Sequence, residues 1–548
     1  MLQPDSTNDH SATAASAGWR TLLEIVLVFG VFFLHGAWPT PDVNENGYLT
    51  KAAHFWNHNA FAHDFFCNTG DAHVVYYWAF GWLTTLGWSL DTVAWVGRIV
   101  TWLLLAVAWR GLSYRLLPKP WVAVLSAELF VLLTEQGHMA GEWIIGGVEA
   151  KGFAWALVLW ALQAMVIERW NLAWLLVGAA ASLHVIVGGW AAVCLGMVWL
   201  ASPRARPSIL EMLPGLVGCA LLALPGLWFA CRLNQGTDWQ TMTAANRIQV
   251  FERLPHHLYP LAFQIGYVPR HLVLWALFFL LCSVTAAAPP LLRLRAYVFS
   301  AMGLAAVGFV LAWIASIGSA TAASDDFAPT FAASILRFYW SRMADILVPI
   351  GVTLVGLQFV CALPTVRKTA ARWLFAGLFV LSAYDLWNQA RHLPWLPEAW
   401  GPVTSRSDKL MAYDDWRDVC RWISADDHTP QNAVFITPMY ANTFKWYTGR
   451  SEVATWKDMP QDAPSIVEWW QRINDLYATG STDPELRWRS SLAELDGNSL
   501  WQLAKKYGAD YVIIERNPGT SRNSLPSNFT PVYQNGTYAV YPQSAFSH

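Results

Sequence analysis

Charge is scarce in this chain. Only 14% of its 548 residues are Asp, Glu, Lys or Arg, while 55% are hydrophobic and the mean hydropathy is +0.29. That composition excludes a purely soluble protein of several charged-surface domains. Cysteine is present without a framework: Cys194, Cys219, Cys282 and Cys361 fall in apolar runs, Cys231 at the edge of one, and Cys67 and Cys420 in distant polar stretches. No CxxC or comparable zinc spacing occurs. Positive charge is not in excess either. With 36 Lys and Arg against 38 Asp and Glu, the net charge is −2, so no nucleic-acid partner is expected. A cleavable leader is not expected, because residues 1–18 read as a short polar tail without a small-residue cleavage site, and the first apolar helix should stay as an anchor.

What is abundant is apolar sequence in runs near the length that a hydrocarbon core of about 30 Å demands of a helix. Such runs lie near 20–38, 92–113, 120–135, 152–168, 171–184, 185–200, 208–230, 271–290, 296–318, 343–363 and 371–389. The stretch 171–200 is too long for one span, and it is expected to break at His184, shortly before Gly188 and Gly189. Residues 74–89 are short, apolar and rich in Trp and Tyr. Laid in the membrane interface, they put Arg110, Arg115, Lys119, Arg169, Arg204, Arg206, Arg293, Arg295, Arg367, Lys368 and Arg372 on one side, as the positive-inside rule asks. Counted as a span, they would put most of these outside. The expectation is an α-helical polytopic membrane protein of about eleven spans, with 74–89 interfacial.

On that topology the long polar segments, 39–91, 136–151, 231–270, 319–342 and everything after 390, all lie outside. The first is the densest in chemistry, with Asp42, Asn44, Glu45, Lys51, His54, His58, His63, Asp64, Asp71 and His73. The second carries Glu142, Glu149 and Lys151, the third Glu252, Arg253, His256 and His257, and the fourth runs into Arg337, Arg342 and Asp345. Long loops usually have a function of their own. Four charged loops on one face suggest a shared site.

Past residue 390 the apolar runs stop. A Pro-rich linker is expected over 390–404, separating a transmembrane domain at 19–389 from an α/β domain at 405–548. WRDVCRWISADD reads as helix, NAVFITP as strand, SIVEWWQRINDLYA as helix, and SLWQLAKKYGADYVIIER as helix, Gly508 near the C-cap, and strand. TPVYQNGTYAVYP reads as a hairpin turning at Asn535 and Gly536. The aromatic and basic patch over 444–460 suits either a ligand or docking on the membrane domain.

Two passages of the first loop carry a resemblance. Asn44-Glu45-Asn46-Gly47-Tyr48 stands where the GT-C superfamily of membrane glycosyltransferases has an acidic pair, two residues and Tyr. Asp71-Ala72-His73-Val74-Val75-Tyr76-Tyr77-Trp78 stands where it has an acid, a Lys-Pro-Pro turn, an aliphatic residue and Tyr-Tyr-Trp opening an interfacial helix. Arg98 matches an Arg near the start of the second span, and His184 falls near a Lys-Gly at a broken-helix turn. Asn44 replaces the usual first catalytic Asp, and Ala72 the phosphate-binding Lys. The chain thus resembles the protein O-mannosyltransferases and aminoarabinose transferases over roughly 19–390, and also uncharacterised bacterial multi-span families near them.

The resemblance implies a bacterial inner-membrane enzyme with its C-terminal domain outside the cytoplasm. It would move a sugar from a polyprenyl-phosphate donor to an envelope acceptor. Such transfer needs a carboxylate base, cations or a metal at the leaving phosphate, and a groove for the lipid. The resemblance makes Glu45 the base, with Asp42 and Glu149 as further catalytic candidates. It makes Asp71 an acid for a divalent metal ion, completed by His256 or His257. Arg337 and Arg342 suit phosphate, since guanidinium is always charged and bidentate; Lys151, Arg253, His184 and Asn44 are the other candidate binding residues. Ordinary roles stay open for each: loop acid, chance histidine pair, headgroup anchor, first-turn charge. Two other functions compete. A lipid-linked saccharide transporter or flippase would favour charges deep in spans and internal repeats, and a non-catalytic scaffold would bind envelope material through its outer domain.

Overall fold

A computed structural model describes residues 7–202, 206–323, 326–363, 368–391, 393, 404–410, 412–481, 483, 486–516 and 529–546. Residues 1–6 of the expected polar tail, most of the expected linker, and Arg204 and Arg367 among the basic turns lie outside these. The first half of the helical domain comprises α1 (Thr7–Gly36), α2 (Glu45–Trp56), α3 (Val74–Phe80), α4 (Leu90–Leu116), α5 (Val122–Gly137), α6 (Ala150–Val166), α7 (Trp170–Leu183) and α8 (Val185–Ala201). The second comprises α9 (Ile209–Arg232), α10 (Trp239–Arg247), α11 (Pro255–Leu258), α12 (Tyr267–Val284), α13 (Pro289–Ala315), α14 (Phe327–Leu336), α15 (Arg342–Cys361) and α16 (Lys368–Ala390). Among the described residues, six helices are long and apolar enough to cross a bilayer: Gly18–Gly36 within α1, then α4, α9, α12, α13 and α15. The protein is a helical membrane protein. In lipid a spanning backbone must satisfy its own hydrogen bonds, which is why these runs are helices throughout.

The expected break falls at His184, which ends α7 and caps α8 by accepting from the Val187 N–H. Gly188 lets the two helices meet: a Cβ there would come within 2.2 Å of the Ala181 backbone nitrogen. Residues 74–86 form the short α3 followed by a 3₁₀ turn over Gly81–Leu86, ending at Gly87 in the left-handed region. Neither piece is long enough to span.

The bundle has two chemically distinct ends. At one, the Lys119 ammonium donates to the Cys361 carbonyl, and Arg293 donates to the Val166 carbonyl and pairs with Glu168. The turns that carry Lys119 and Arg293 thus meet the ends of neighbouring helices. At the other end sit all the long loops and the C-terminal domain.

That domain contains α17 (Tyr413–Ser424), β1 (Val434–Ile436), α18 (Phe444–Thr448), β2 (Ser451–Glu452), α19 (Ala463–Tyr477), α20 (Gly497–Tyr507), β3 (Tyr511–Glu515), β4 (Tyr533–Gln534) and β5 (Tyr538–Pro542). The strands order as β2-β1-β3-β5-β4, with β1 parallel to β2 and β3, and β5 antiparallel to β3 and β4. Side-chain alternation along the strands makes two cores. Val434, Ile436, Val512 and Ile514 pack with Ile466, Trp469 and Leu500 of α19 and α20; Phe435 and Ile513 pack with Trp416, Val419 and Ile423 of α17. Ala245 and Ile248, from the third loop of the helical domain, belong to the first of these cores. The two domains therefore share apolar packing.

Candidate functional site at the loop end

The first loop is held by two buried carboxylates. Glu45 takes Arg98 Nε and Nη2 on its two oxygens at 2.6 and 2.5 Å, and also accepts from the Asp42 and Val148 N–H groups. Glu45 and Arg98 are both fully buried. Asp42 accepts from Arg406 of the C-terminal domain and from the Gly147 N–H. Burial alone would raise the Asp42 pKa, but Arg406 and Arg98 hold its carboxyl below the ordinary range. Gly147 has to be glycine for this approach, because a Cβ would lie 2.8 Å from the Glu45 side chain and 3.0 Å from that of Asp42. Every oxygen of Glu45 and Asp42 is thus engaged within the protein. The geometry gives both a structural role, tying loop one to loop two and to the C-terminal domain.

The carboxylate that remains at the centre is Glu149. It stands at the position before α6 without capping the helix, is 2% exposed, and accepts from the Asn44 amide at 2.7 Å. Lys151 Nζ lies 3.5 Å from its other oxygen and 3.8 Å from Glu142. Arg342, at the start of α15, pairs with Glu142 at 2.9 Å, and its Nη1 stands 3.4 Å from His184 Nε2. The His184 ring lies against that of His73, whose Nε2 is 3.3 Å from the Tyr48 hydroxyl and 3.3 Å from the Gln461 amide. Burial raises the Glu149 pKa above the ordinary carboxylate range, against the pull of Lys151 and Asn44. Burial also pulls His73 down to about 4, so it is neutral near pH 7.

Two cations border this cluster from elsewhere. Arg253 ends a π-helical turn over Ile248–Arg253, a distortion that re-aims side chains, and donates to the Trp456 carbonyl. Burial takes its pKa down to about 10. The Lys457 carbonyl accepts from Arg253 Nη2, while its ammonium has no hydrogen-bond or ion-pair partner among the described residues. Burial and the adjacent Arg253 guanidinium pull its pKa down to about 8, while Glu149 acts on it in the opposite sense. Lys151 and Arg342 therefore stand at two carboxylates, Glu142 and Glu149, and Lys457 and its neighbour Arg253 border them, with Asp458 acting on both of these while it is paired with Lys445. Such a grouping of cations suits a polyanion.

Several candidates lie apart from this cluster. Asp71 pairs with Lys51 at 3.8 Å, and the Lys51 ammonium is otherwise caged by the carbonyls of Phe66, Thr69 and Gly70. The His256 ring lies tilted against that of His257, whose Nδ1 faces the Ala140 carbonyl. Among the described residues, Asp71, His256 and His257 do not come together as a metal-capable group. Arg337 is bound to the Asn246 amide instead of joining Arg342. Asp345 accepts from the Met139, Ala140 and Glu142 N–H groups and so shapes loop two. The patch over 444–460 docks: Lys445 is buried among Asp64, Glu452 and Asp458, and the Trp446 indole donates to Asp91. Lys457 falls within the aromatic and basic patch over 444–460, in the W-K-D triplet Trp456-Lys457-Asp458, but was not among the candidate site residues.

Residues 414–476 match a domain of unknown function, DUF6798. That segment runs from α17 through nearly all of α19 and includes Lys445, Trp456, Lys457 and Asp458. No curated protein matches the chain.

Proposed function

We propose that the protein is a membrane glycosyltransferase that uses a polyprenyl-phosphate sugar at the loop end of its helices, with eleven spans and that end facing away from the cytoplasm of a bacterial inner membrane. The observation that carries this reading is the buried Glu149, set between the Asn44 amide and Lys151, with Arg342 and Lys457 acting on it and Arg253 beside Lys457. In the proposed step the acceptor oxygen forms a bond to the anomeric carbon as the bond from that carbon to the phosphate oxygen breaks. Glu149 receives the acceptor's proton. Arg342, Lys151, Arg253 and Lys457 hold the departing polyprenyl phosphate and its gathering charge. Asn44, which cannot remove a proton, orients Glu149.

Transfer of labelled sugar from a polyprenyl-phosphate donor by proteoliposomes of the purified chain tests this. Wild-type protein should transfer label, and Glu149→Gln should lose it by about two orders of magnitude or more. Turnover untouched in Glu149→Gln would remove that residue from the mechanism. A second reading, a transporter of lipid-linked saccharide, gains from one observation: buried His35 and Glu128 form a charged cluster with half-buried Asp385 among the helices. Movement of donor across proteoliposomes without label transfer would favour it.

A further inference from the structure

We infer that His35, Glu128 and Asp385 form a binding site for one divalent first-row transition-metal ion, separate from the loop-end cluster. The three residues come from α1, α5 and α16, and one donor atom of each lies within 4.8 Å of the others. His35 Nε2 is 3.2 Å from Glu128 Oε2 and 3.5 Å from Asp385 Oδ2. For metal–ligand bonds of about 2.0–2.1 Å, the edge of a coordination tetrahedron is about 3.3 Å. The spacing therefore suits one ion among three donors, with a fourth position left for water.

Two observations point beyond an ordinary buried ion pair. The opposite ring nitrogen, His35 Nδ1, lies 3.0 Å from Glu135 Oε1, and Glu135 in turn takes the Gln389 amide at 3.5 Å. A carboxylate behind a histidine would, with a metal ion bound, hold the proton on Nδ1 and leave the Nε2 lone pair to the ion between the other two acids, as in metal sites. In addition, Glu128 is 2% exposed, yet its Oε1 has no hydrogen-bond partner. No Lys or Arg pairs with Glu128, Glu135 or Asp385 among the described residues. One imidazole cannot balance three carboxylates; a dication on Glu128 and Asp385 does. Nitrogen with two oxygens suits zinc or manganese better than the all-oxygen shells of calcium and magnesium.

The test uses the full-length chain in nanodiscs, stripped with EDTA, re-equilibrated with Zn²⁺ and assayed by elemental mass spectrometry, with the thermal midpoint measured in parallel. Wild-type protein should retain one zinc per chain and melt higher with zinc, and both effects should vanish in Glu128→Gln. Glu135→Gln should still fill, with affinity weakened roughly 10–100-fold. If His35→Ala fails to fold, the near-isosteric Glu128→Gln, checked by size-exclusion, carries the comparison. Wild-type zinc content no higher than that of Glu128→Gln overturns the site. So does a melt that responds to pH but not to zinc or manganese, which assigns the cluster to protons.

Discussion

Two glutamates in this chain look interchangeable as catalytic bases until their surroundings are weighed, and substituting each separates them. Glu45→Gln removes the one carboxylate that, among the described residues, pairs with Arg98, whose guanidinium is fully buried and which also donates to the Trp38 carbonyl. Leaving such a charge uncompensated costs about 3–5 kcal/mol. The glutamine also cannot accept from Asp42 and Val148 while accepting twice from Arg98. Glu149→Gln differs in kind. Burial already favours its neutral form, the contact with the Asn44 amide survives, and Lys151 keeps Glu142 within 3.8 Å. We expect a change of about 1 kcal/mol or less. Melting of the detergent-solubilised chain, followed by the fluorescence of its 34 tryptophans, should show Glu45→Gln melting well below wild type and Glu149→Gln close to it. Transfer assays should show the reverse ranking per folded molecule. A Glu45→Gln protein that melts like wild type but transfers nothing would refute the reasoning and return the base to Glu45.

Activity should be bell-shaped in pH. Glu149 must be deprotonated to act, so the acid limb should rise through a pKa above the ordinary carboxylate range. Lys457 must be protonated to hold phosphate, so the alkaline limb should fall through about 8; Lys457→Arg should move that limb out of reach, and a limb that stays in place would exclude Lys457. Lys445→Met leaves Asp64, Glu452 and Asp458 buried together without their cation. It should cost about 3–5 kcal/mol and expose the C-terminal domain to limited proteolysis; unchanged digestion would refute the docking role.

The parts of this fold legible in sequence are those set by local pattern. The break at His184, the strongly amphipathic α17, Gly508 in the left-handed region after α20, and the antiparallel β4–β5 hairpin at Asn535 all follow from composition and spacing within a few residues. What could not be read is pairing across the chain. Nothing near Glu45 reveals that Arg98 occupies it, and nothing near Asp42 reveals Arg406, 364 residues away. Charge inside the bundle was hidden for another reason: a single Glu128 or His35 in an apolar run barely lowers the average of a window long enough to span. Lys457 was obscured by its company, because an aromatic and basic patch looks alike whether it docks or binds.

The W-K-D triplet separates those two uses residue by residue. The Trp456 carbonyl is clamped by Arg253 from loop three, and the Asp458 carboxylate by Lys445 within a cage that also takes Asp64 from loop one. The flanking residues dock, and both anchors bridge the domains. The C-terminal domain cannot leave without stripping Lys445 of Asp64, Asp42 of Arg406, and the α19 core of Ala245 and Ile248. Lys457 is therefore fixed at the loop end by its neighbours while its ammonium holds no partner among the described residues. Keeping a lysine partly desolvated, beside Arg253, costs stability that docking alone does not require. A phosphate that returns this cost on binding is the reason we propose Lys457 as a site residue, and with it a contribution of the C-terminal domain to the site.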